Sequence, residues 1–346
     1  MKIEAGVLGA TGMVGQQLVR LLENHPWFEL KWVAASERSS GRKYSEATSW
    51  RLAWPMPAAA RDLLVDDCQP GRGPRLVFSG LDARAAAGIE PEMARCGHIV
   101  VSNASSFRME QDVPLLVPEI NPDHLKLVPG QAARGWKGMV VTNPNCSTIT
   151  LTMTLAALER RFGLKRVLVT TMQAISGAGY PGVPSMDVLG NVIPFIKNEE
   201  EKIEAETRKI FGLLSGDRVA DADMAVSAQT NRVPVLDGHT MSISVELKQG
   251  AGLEDLKQAW REFRGVPQQR RLPSAPAQPV MVMEEPDRPQ PRLDVEKEGG
   301  MATFVGRARP CPVLHYRFVA MGHNTVRGAA GAALLNAELM KSEGMF

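Results

Sequence analysis

Apolar positions along this chain follow two rhythms, and where the rhythm changes the elements can be placed. Residues 3–8 are apolar enough for a buried strand. The turn Gly9-Ala10-Thr11-Gly12-Met13-Val14-Gly15 follows, and then Val14, Leu18, Leu21 and Leu22 line one face of a helix. Further strands are expected at Glu29 to Ala35, Arg75 to Phe78 and His98 to Val101, with helical stretches between them. That alternation predicts an α/β fold with a parallel, Rossmann-like sheet. Small polar residues after the strands, such as Ser79-Gly80, fall at the carboxyl edge, where such sheets bind ligands.

The second half reads as α+β. A β-rich run ends at Asn143-Pro144-Asn145-Cys146, and a helix is expected from Thr148 to Phe162. Arg166 to Ala174 reads as a strand with a polar tip at Gln173, followed by the glycine loop Ile175 to Gly182. Asn198-Glu199-Glu200-Glu201-Lys202 opens a helix with acids in its first turn, as the helix dipole favours. Thr230 to Val235 and Gly238 to Val245 read as two strands joined by a turn at Asp237-Gly238. Gly265 to Gly300, rich in Pro and Gln, reads as a long irregular segment packed on a partner subunit. The apolar helix Ala329 to Met340 is expected to return to the first sheet. We therefore expect a cofactor domain at 1–145, completed by 323–346, and a catalytic and oligomerisation domain at 146–322.

Composition narrows the function classes. The chain has 346 residues, 44% hydrophobic and 23% charged, with a net charge of +2. No basic cluster tracks nucleic acid, and no apolar run is long enough to span a bilayer. The N-terminus starts a strand at once and lacks the shape of a signal peptide. Four scattered cysteines without a C-x-x-C pair argue against zinc and disulfides. The expectation is a cytoplasmic protein without a metal, acting on a small molecule.

The glycine turn is the first candidate site. Strand, glycine turn and helix in this order bring backbone N–H groups up to a pyrophosphate, which rests on the helix N-terminus. Gly9, Thr11, Gly12, Met13 and Val14 are the candidates here, with Ser79 and Gly80 at a neighbouring strand end. After the second strand, Arg38 with Ser36 and Ser39 offers a cation and hydroxyls to a 2′-phosphate. Those groups favour NADP; Glu37 beside them is the residue type that would select NAD. The second candidate is Cys146. A thiol at a helix start is expected to have a lowered pKa and to react as thiolate; the alternative is a small buried hydrophobe. Alone, Glu199 reads as a dipole-favoured acid and His239 as a packing residue.

Taken as a set, these residues resemble the aspartate-β-semialdehyde dehydrogenase family, specifically its archaeal and fungal-like branch. The resemblance runs the length of the chain. It rests on Gly9-Ala10-Thr11-Gly12, the Ser36-to-Ser39 loop, Asn143-Pro144-Asn145-Cys146-Ser147-Thr148, Gln173, Asn198-Glu199-Glu200-Glu201-Lys202, Arg232 followed by His239, Arg288-Pro289-Gln290-Pro291-Arg292, and Asn324-Thr325-Val326-Arg327-Gly328. It implies reversible, NADPH-dependent reduction of L-aspartyl-4-phosphate to the 4-semialdehyde, a step toward lysine, methionine and threonine. It assigns Cys146 as nucleophile, His239 as acid/base, Gln173 as the group orienting the acyl intermediate and Asn145 as its neighbour. Arg232 and Glu199 hold substrate carboxylate and ammonium, and Arg108 and Lys202 hold phosphate. Ser176 and Gly177 are further cofactor-binding candidates, the returning last helix would put Asn324 at the nicotinamide, and the family implies a homodimer or homotetramer. His323 stands where the family commonly has Asp. Two other readings use the same residues: a malonyl-CoA or succinyl-CoA reductase, and a non-catalytic NADP-binding protein.

Overall fold

A computed structural model describes all 346 residues, Met1–Phe346. Six parallel strands form the first sheet: β1 Ile3–Leu8, β2 Phe28–Ala35, β3 Val65–Asp67, β4 Leu76–Ser79, β5 Ile99–Ser102 and β6 Met139–Thr142, in the order β3-β2-β1-β4-β5-β6. β4 and β5 are buried throughout, as strands covered on both faces must be. Alternate residues enter different cores. Leu76, Phe78, Ile99 and Val101 pack on one side of the sheet, and Val77 and Val100 on the other. The first side is closed by the Met13–Leu22 helix together with Ala333, Leu334, Leu335 and Leu339 of the last helix, Gly331–Ser342.

The glycine turn between β1 and the Met13 helix is tight for a steric reason. Gly9 has φ +71°, and a Cβ at Gly15 would lie 2.2 Å from the Gly9 carbonyl oxygen. Only glycine lets the helix rest on the strand end this closely.

The second sheet takes β7 Leu164–Gln173, β10 Ala225–Arg232, β11 His239–Leu247, β12 Val280–Met283, β13 Thr303–Pro310 and β14 Tyr316–Gly322, in the order β10-β7-β11-β14-β13-β12. A small hairpin of β8 Leu213–Ser215 and β9 Arg218–Ala220 stands apart. Val167, Val169, Met241, Ile243, Phe318 and Ala320 face the core, whereas Leu168, Thr170 and Ser242 face outward. This sheet is therefore covered on one face only.

Against the core face of the second sheet runs the helix Cys146–Phe162, buried on nearly every side. Its threonines return their hydroxyls to the helix's own carbonyls: Thr150 to Cys146 at 3.2 Å and Thr152 to Thr148 at 2.9 Å. Those bonds make the polar residues of a buried helix affordable. No helix of the chain is long and apolar enough to cross a membrane.

The structure corrects three sequence expectations. The Cys146 helix begins two residues earlier than Thr148, because Asn145 caps it. The strands flanking Asp237-Gly238 do not pair with each other. β10 lies parallel to one edge of β7 and β11 antiparallel to the other, so the connection straddles β7. The Gly265–Gly300 segment, expected to be irregular and to pack on a partner subunit, packs within the chain. It supplies edge strand β12, and Pro291 and Val295 pack against Gly238 just before His239. Its Pro-rich pattern disguised four strand residues and a packing role within the chain itself.

Candidate active site

Parallel pairing of β10 with β7 sets Arg232 directly beside Gln173. β11 runs back from the same edge, and its first residue, His239, pairs with Gly322 at the end of β14. The N-terminus of the Cys146 helix points at this edge. As a result Cys146 Sγ lies 3.1 Å from His239 Nε2, although 93 residues separate them in sequence.

Asn145 fixes the helix start with every polar group it has. Its Oδ1 accepts from the Ser147 and Thr148 amides at 2.8 and 3.2 Å. Its Nδ2 donates to Glu199 Oε1 at 2.9 Å, and its amide to Glu206 Oε2 at 2.6 Å. Asn145 is thus a capping and anchoring residue, worth about 0.5–2 kcal/mol as a cap alone. Behind the thiol the chain turns once as a π-helix, Val326–Ala330. A Cβ on Gly328 would stand 2.8 Å from the Cys146 Cβ, so glycine there lets the last segment press against the thiol-bearing residue.

The electrostatics differ from the sequence expectation. Burial pushes the Cys146 thiol up to about 12, and Glu199 adds to the effect, while Arg108 and Arg232 pull it down. Burial, with Arg232 and His323 nearby, takes His239 down to about 3. The Ala174 amide donates to His239 Nδ1 at 3.1 Å. Neutral His239 therefore carries its proton on Nε2 and points it at the sulfur. The resting pair is neutral thiol and neutral imidazole, not thiolate and imidazolium. It follows that alkylation of the free protein by iodoacetamide should quicken about tenfold per pH unit between pH 7 and 9. A rate already level below pH 7 would show an ion pair instead.

Around the pair, charge is divided. Arg232 is buried, spends one donor on the Ala174 carbonyl at 2.7 Å and has no carboxylate partner in the chain. Glu199 is buried, with Lys202 3.7 Å from its other oxygen. Arg108, which the resemblance assigns to phosphate, pairs with Glu206 at 2.9 Å and donates to the Asn103 carbonyl at 2.7 Å. Its buried Nε has no partner. Lys209, on the helix Glu199–Ile210, donates to the carbonyls of Arg108, Glu110 and Val113 and so holds the Arg108 loop. Gln173 is buried beside Arg232.

Gly177 lies against this group, since its Cβ would sit 2.9 Å from His239 Cε1 and 3.0 Å from Arg232 Nη1. Asn324 ties the same loop to β11. It accepts from the Gly238 amide at 2.9 Å and donates to Ser176 Oγ at 2.8 Å. His323 is buried and faces Glu296 at 3.4 Å, holding that carboxyl below its usual range.

A cleft of about 660 Å³ opens on the carboxyl edge of the first sheet. Of the cofactor-site candidates, Gly9, Thr11, Gly12, Ser36, Arg38 and Gly80 line it, and Glu37 lies beside Arg38. Met13 lines a second cleft adjoining it. Val14, Ser39 and Ser79 line neither. Val14 packs on the core, Ser39 closes a turn onto the Ser36 carbonyl, and Ser79 is fully buried. Asp82 and Gln69 line the first cleft and had no signal beyond loop composition. At the helix start no side chain caps Gly12, which leaves the first-turn amides to an incoming phosphate. The cradle suits a dinucleotide, and Arg38 with Ser36 at its far end suits a 2′-phosphate.

Residues 4–128 match the family model described as semialdehyde dehydrogenase, NAD binding domain, and residues 155–327 match semialdehyde dehydrogenase, dimerisation domain. An aspartate-semialdehyde dehydrogenase of Methanothermobacter thermautotrophicus is 50% identical over 98% of this chain and 99% of its own length. The chain belongs to the aspartate-semialdehyde dehydrogenase family. The family's Saccharomyces cerevisiae member is 44% identical, covering 97% of each chain. The Candida albicans aspartate-semialdehyde dehydrogenase, solved with NADP, superposes with a TM-score of 0.93 at 41% identity, covering 99% of this chain and 100% of that one. A Vibrio cholerae family structure complexed with ASA gives 0.79 at 25% identity, covering 99% of both chains.

Proposed function

We propose that this chain catalyses the reversible, NADPH-dependent conversion of L-aspartyl-4-phosphate to L-aspartate-4-semialdehyde and phosphate. The observation that carries the reading is the Cys146–His239 contact set between a buried anion, Glu199, and a buried cation without a carboxylate partner, Arg232. A substrate with an α-ammonium and an α-carboxylate answers both charges.

Cys146 attacks the acyl carbon. The bond from that carbon to the phosphate oxygen breaks, the thiol proton passes to the departing phosphate, and a thioester remains on Cys146. Bound NADPH supplies the hydride that reduces this thioester. His239 holds the sulfur through Nε2–H; when the aldehyde is released the thiolate takes that proton while the imidazole draws a replacement from water. Arg232 engages the α-carboxylate as a planar fork, which Lys would not match. Glu199 takes the ammonium, and Gln173, one strand away, orients the acyl oxygen. Arg108 and Lys202 supply positive charge for phosphate. Gly9, Thr11, Gly12 and Met13 would cradle the cofactor's phosphates, Arg38 and Ser36 its 2′-phosphate, and Ser176, Gly177 and Asn324 its nicotinamide end. The open face of the second sheet, with exposed Leu168, and the apolar loop residues Leu189 and Phe195 fit a homodimer or a tetramer built from it.

Purified protein given aspartate semialdehyde, phosphate and NADP should form NADPH, and sedimentation should give a mass of two or more chains. A folded sample with intact thiol that forms none overturns the reading. A CoA thioester of malonate or succinate has no ammonium for Glu199, so a higher kcat/KM with malonyl-CoA would reverse the choice of substrate.

A further inference from the structure

The second cleft, about 290 Å³, shares Thr11 and Gly12 with the first and runs from the glycine turn to Tyr180. It therefore continues the cofactor groove across the start of the Met13 helix, toward the loop that carries Ser176 and Gly177. Only one charged side chain lines it, Arg51. The Arg51 guanidinium stacks on the Tyr180 ring, 3.5 Å from its centroid, and no carboxylate of the chain pairs with it.

Arg51 is held in place from below. Gln16 is 1% exposed. Its Oε1 accepts from the Arg51 amide at 2.8 Å, and its Nε2 donates to the carbonyls of Thr11 at 2.9 Å and Ser49 at 3.2 Å. One buried amide thus spends both its ends fixing the Arg51 loop against the glycine turn. Buried polar groups used this completely set geometry rather than add affinity of their own. The cation is placed over the turn, and its contact partner belongs to the other half of the chain.

We propose that Arg51 and Tyr180 form a clasp over the cofactor's pyrophosphate. Arg51 supplies positive charge to the pyrophosphate, and its stack on Tyr180 draws the 175–182 loop, with Gly177 against His239 and Arg232, into place when the cofactor is bound. The charge logic is simple: a pyrophosphate brings two negative charges to a turn whose own contribution is amides and a helix end. The first cleft's only cation, Arg38, sits at the opposite end, beside Glu37. A guanidinium in this position makes charge-assisted bonds that an amide cannot. The stack itself is exposed and weak, on the order of 0.5–1 kcal/mol, so the loop can open for exchange. The clasp rests on the cofactor reading above.

The test uses the full chain and two probes, NADP and 2′-AMP, the latter having the 2′-phosphate but no pyrophosphate. R51A should weaken NADP binding about tenfold or more, as loss of a charge-assisted contact implies, and should flatten the salt dependence of its Kd. Its affinity for 2′-AMP should stay at the wild-type value, and its kcat should fall as in Y180A, because the stack is lost either way. R51K should recover part of the loss, since it keeps the charge and loses the fork. Y180A should raise the KM for NADP and lower kcat together, and Y180F should rescue both, because the ring and not the hydroxyl makes the stack. An unchanged NADP Kd in R51A overturns the clasp alone. Equal weakening of NADP and 2′-AMP overturns it too, by placing Arg51 at the adenosine end. Wild-type protein that fails to bind NADP removes the cofactor reading and the clasp with it.

Discussion

Replacing Cys146 by serine should cut kcat/KM by on the order of 10⁴-fold or more while leaving NADP affinity unchanged. The size follows from what is lost. A hydroxyl in this place would be a poorer nucleophile than sulfur, and the same burial that pushes the thiol up to about 12 would disfavour an alkoxide even more. No other group can take over the covalent step, because the remaining residues at the site are donors, acceptors or fixed charges. A loss of that order corresponds to about 5 kcal/mol of transition-state stabilisation. Cofactor affinity is spared because the clefts at Gly9, Gly12 and Arg38 do not include Cys146. Steady-state assay with a parallel NADP titration decides the matter. Activity within tenfold of wild type would remove Cys146 as nucleophile, and lost NADP binding would mean the substitution had disturbed the fold.

The second large effect is expected at Glu206, which the sequence reading passes over. Its carboxylate, 2% exposed, pairs with Arg108 at 2.9 Å and accepts the Asn145 amide at 2.6 Å. Glu206→Ala leaves a buried guanidinium without a counter-charge and a buried amide without an acceptor. Breaking a buried pair from one side costs about 3–5 kcal/mol, and denaturant unfolding should show a loss of that order. Activity should fall as well, because the start of the Cys146 helix loses its anchor. Glu206→Gln keeps an acceptor for Asn145 and should lie between. The double variant E206A/R108A should be less destabilised than E206A, since it removes the stranded charge. A loss below about 1 kcal/mol in E206A would show that water or a rearranged Arg108 replaces the carboxylate.

Local signals made much of the first sheet readable. Strand, glycine turn and helix each follow from spacing that neighbours along the chain impose. The cleft residues at Gly9, Gly12 and Arg38 came with them. The convergence of Gln173, Arg232 and His239 was not readable from pattern, because it depends on a parallel pairing of β7 with β10 across about fifty residues. The nearest local cue, Asp237-Gly238, pointed to a hairpin that does not form. Resemblance to a family supplied that set instead. The thiol was misread for a matter of magnitude. A helix end favours an anion by about 0.3–1 kcal/mol, and burial beside Glu199 overrides it. Glu206 did leave a trace. Glu199, Ile203, Glu206 and Ile210 share one buried stripe of their helix. Acids inside an apolar stripe at helical spacing mark buried pairs, whereas a run of five acids in eight residues looks like a solvated face.

The return of the last helix to the first sheet has a consequence for synthesis. A ribosome delivers β1 to β6 long before Ala333, Leu334, Leu335 and Leu339 emerge, yet those residues close one side of that sheet. Until that helix is made, the nascent N-terminal half carries an uncovered apolar face. The half made first is therefore finished late, and the period in which it is most prone to stick to its neighbours ends only once the Gly331–Ser342 helix has left the exit tunnel.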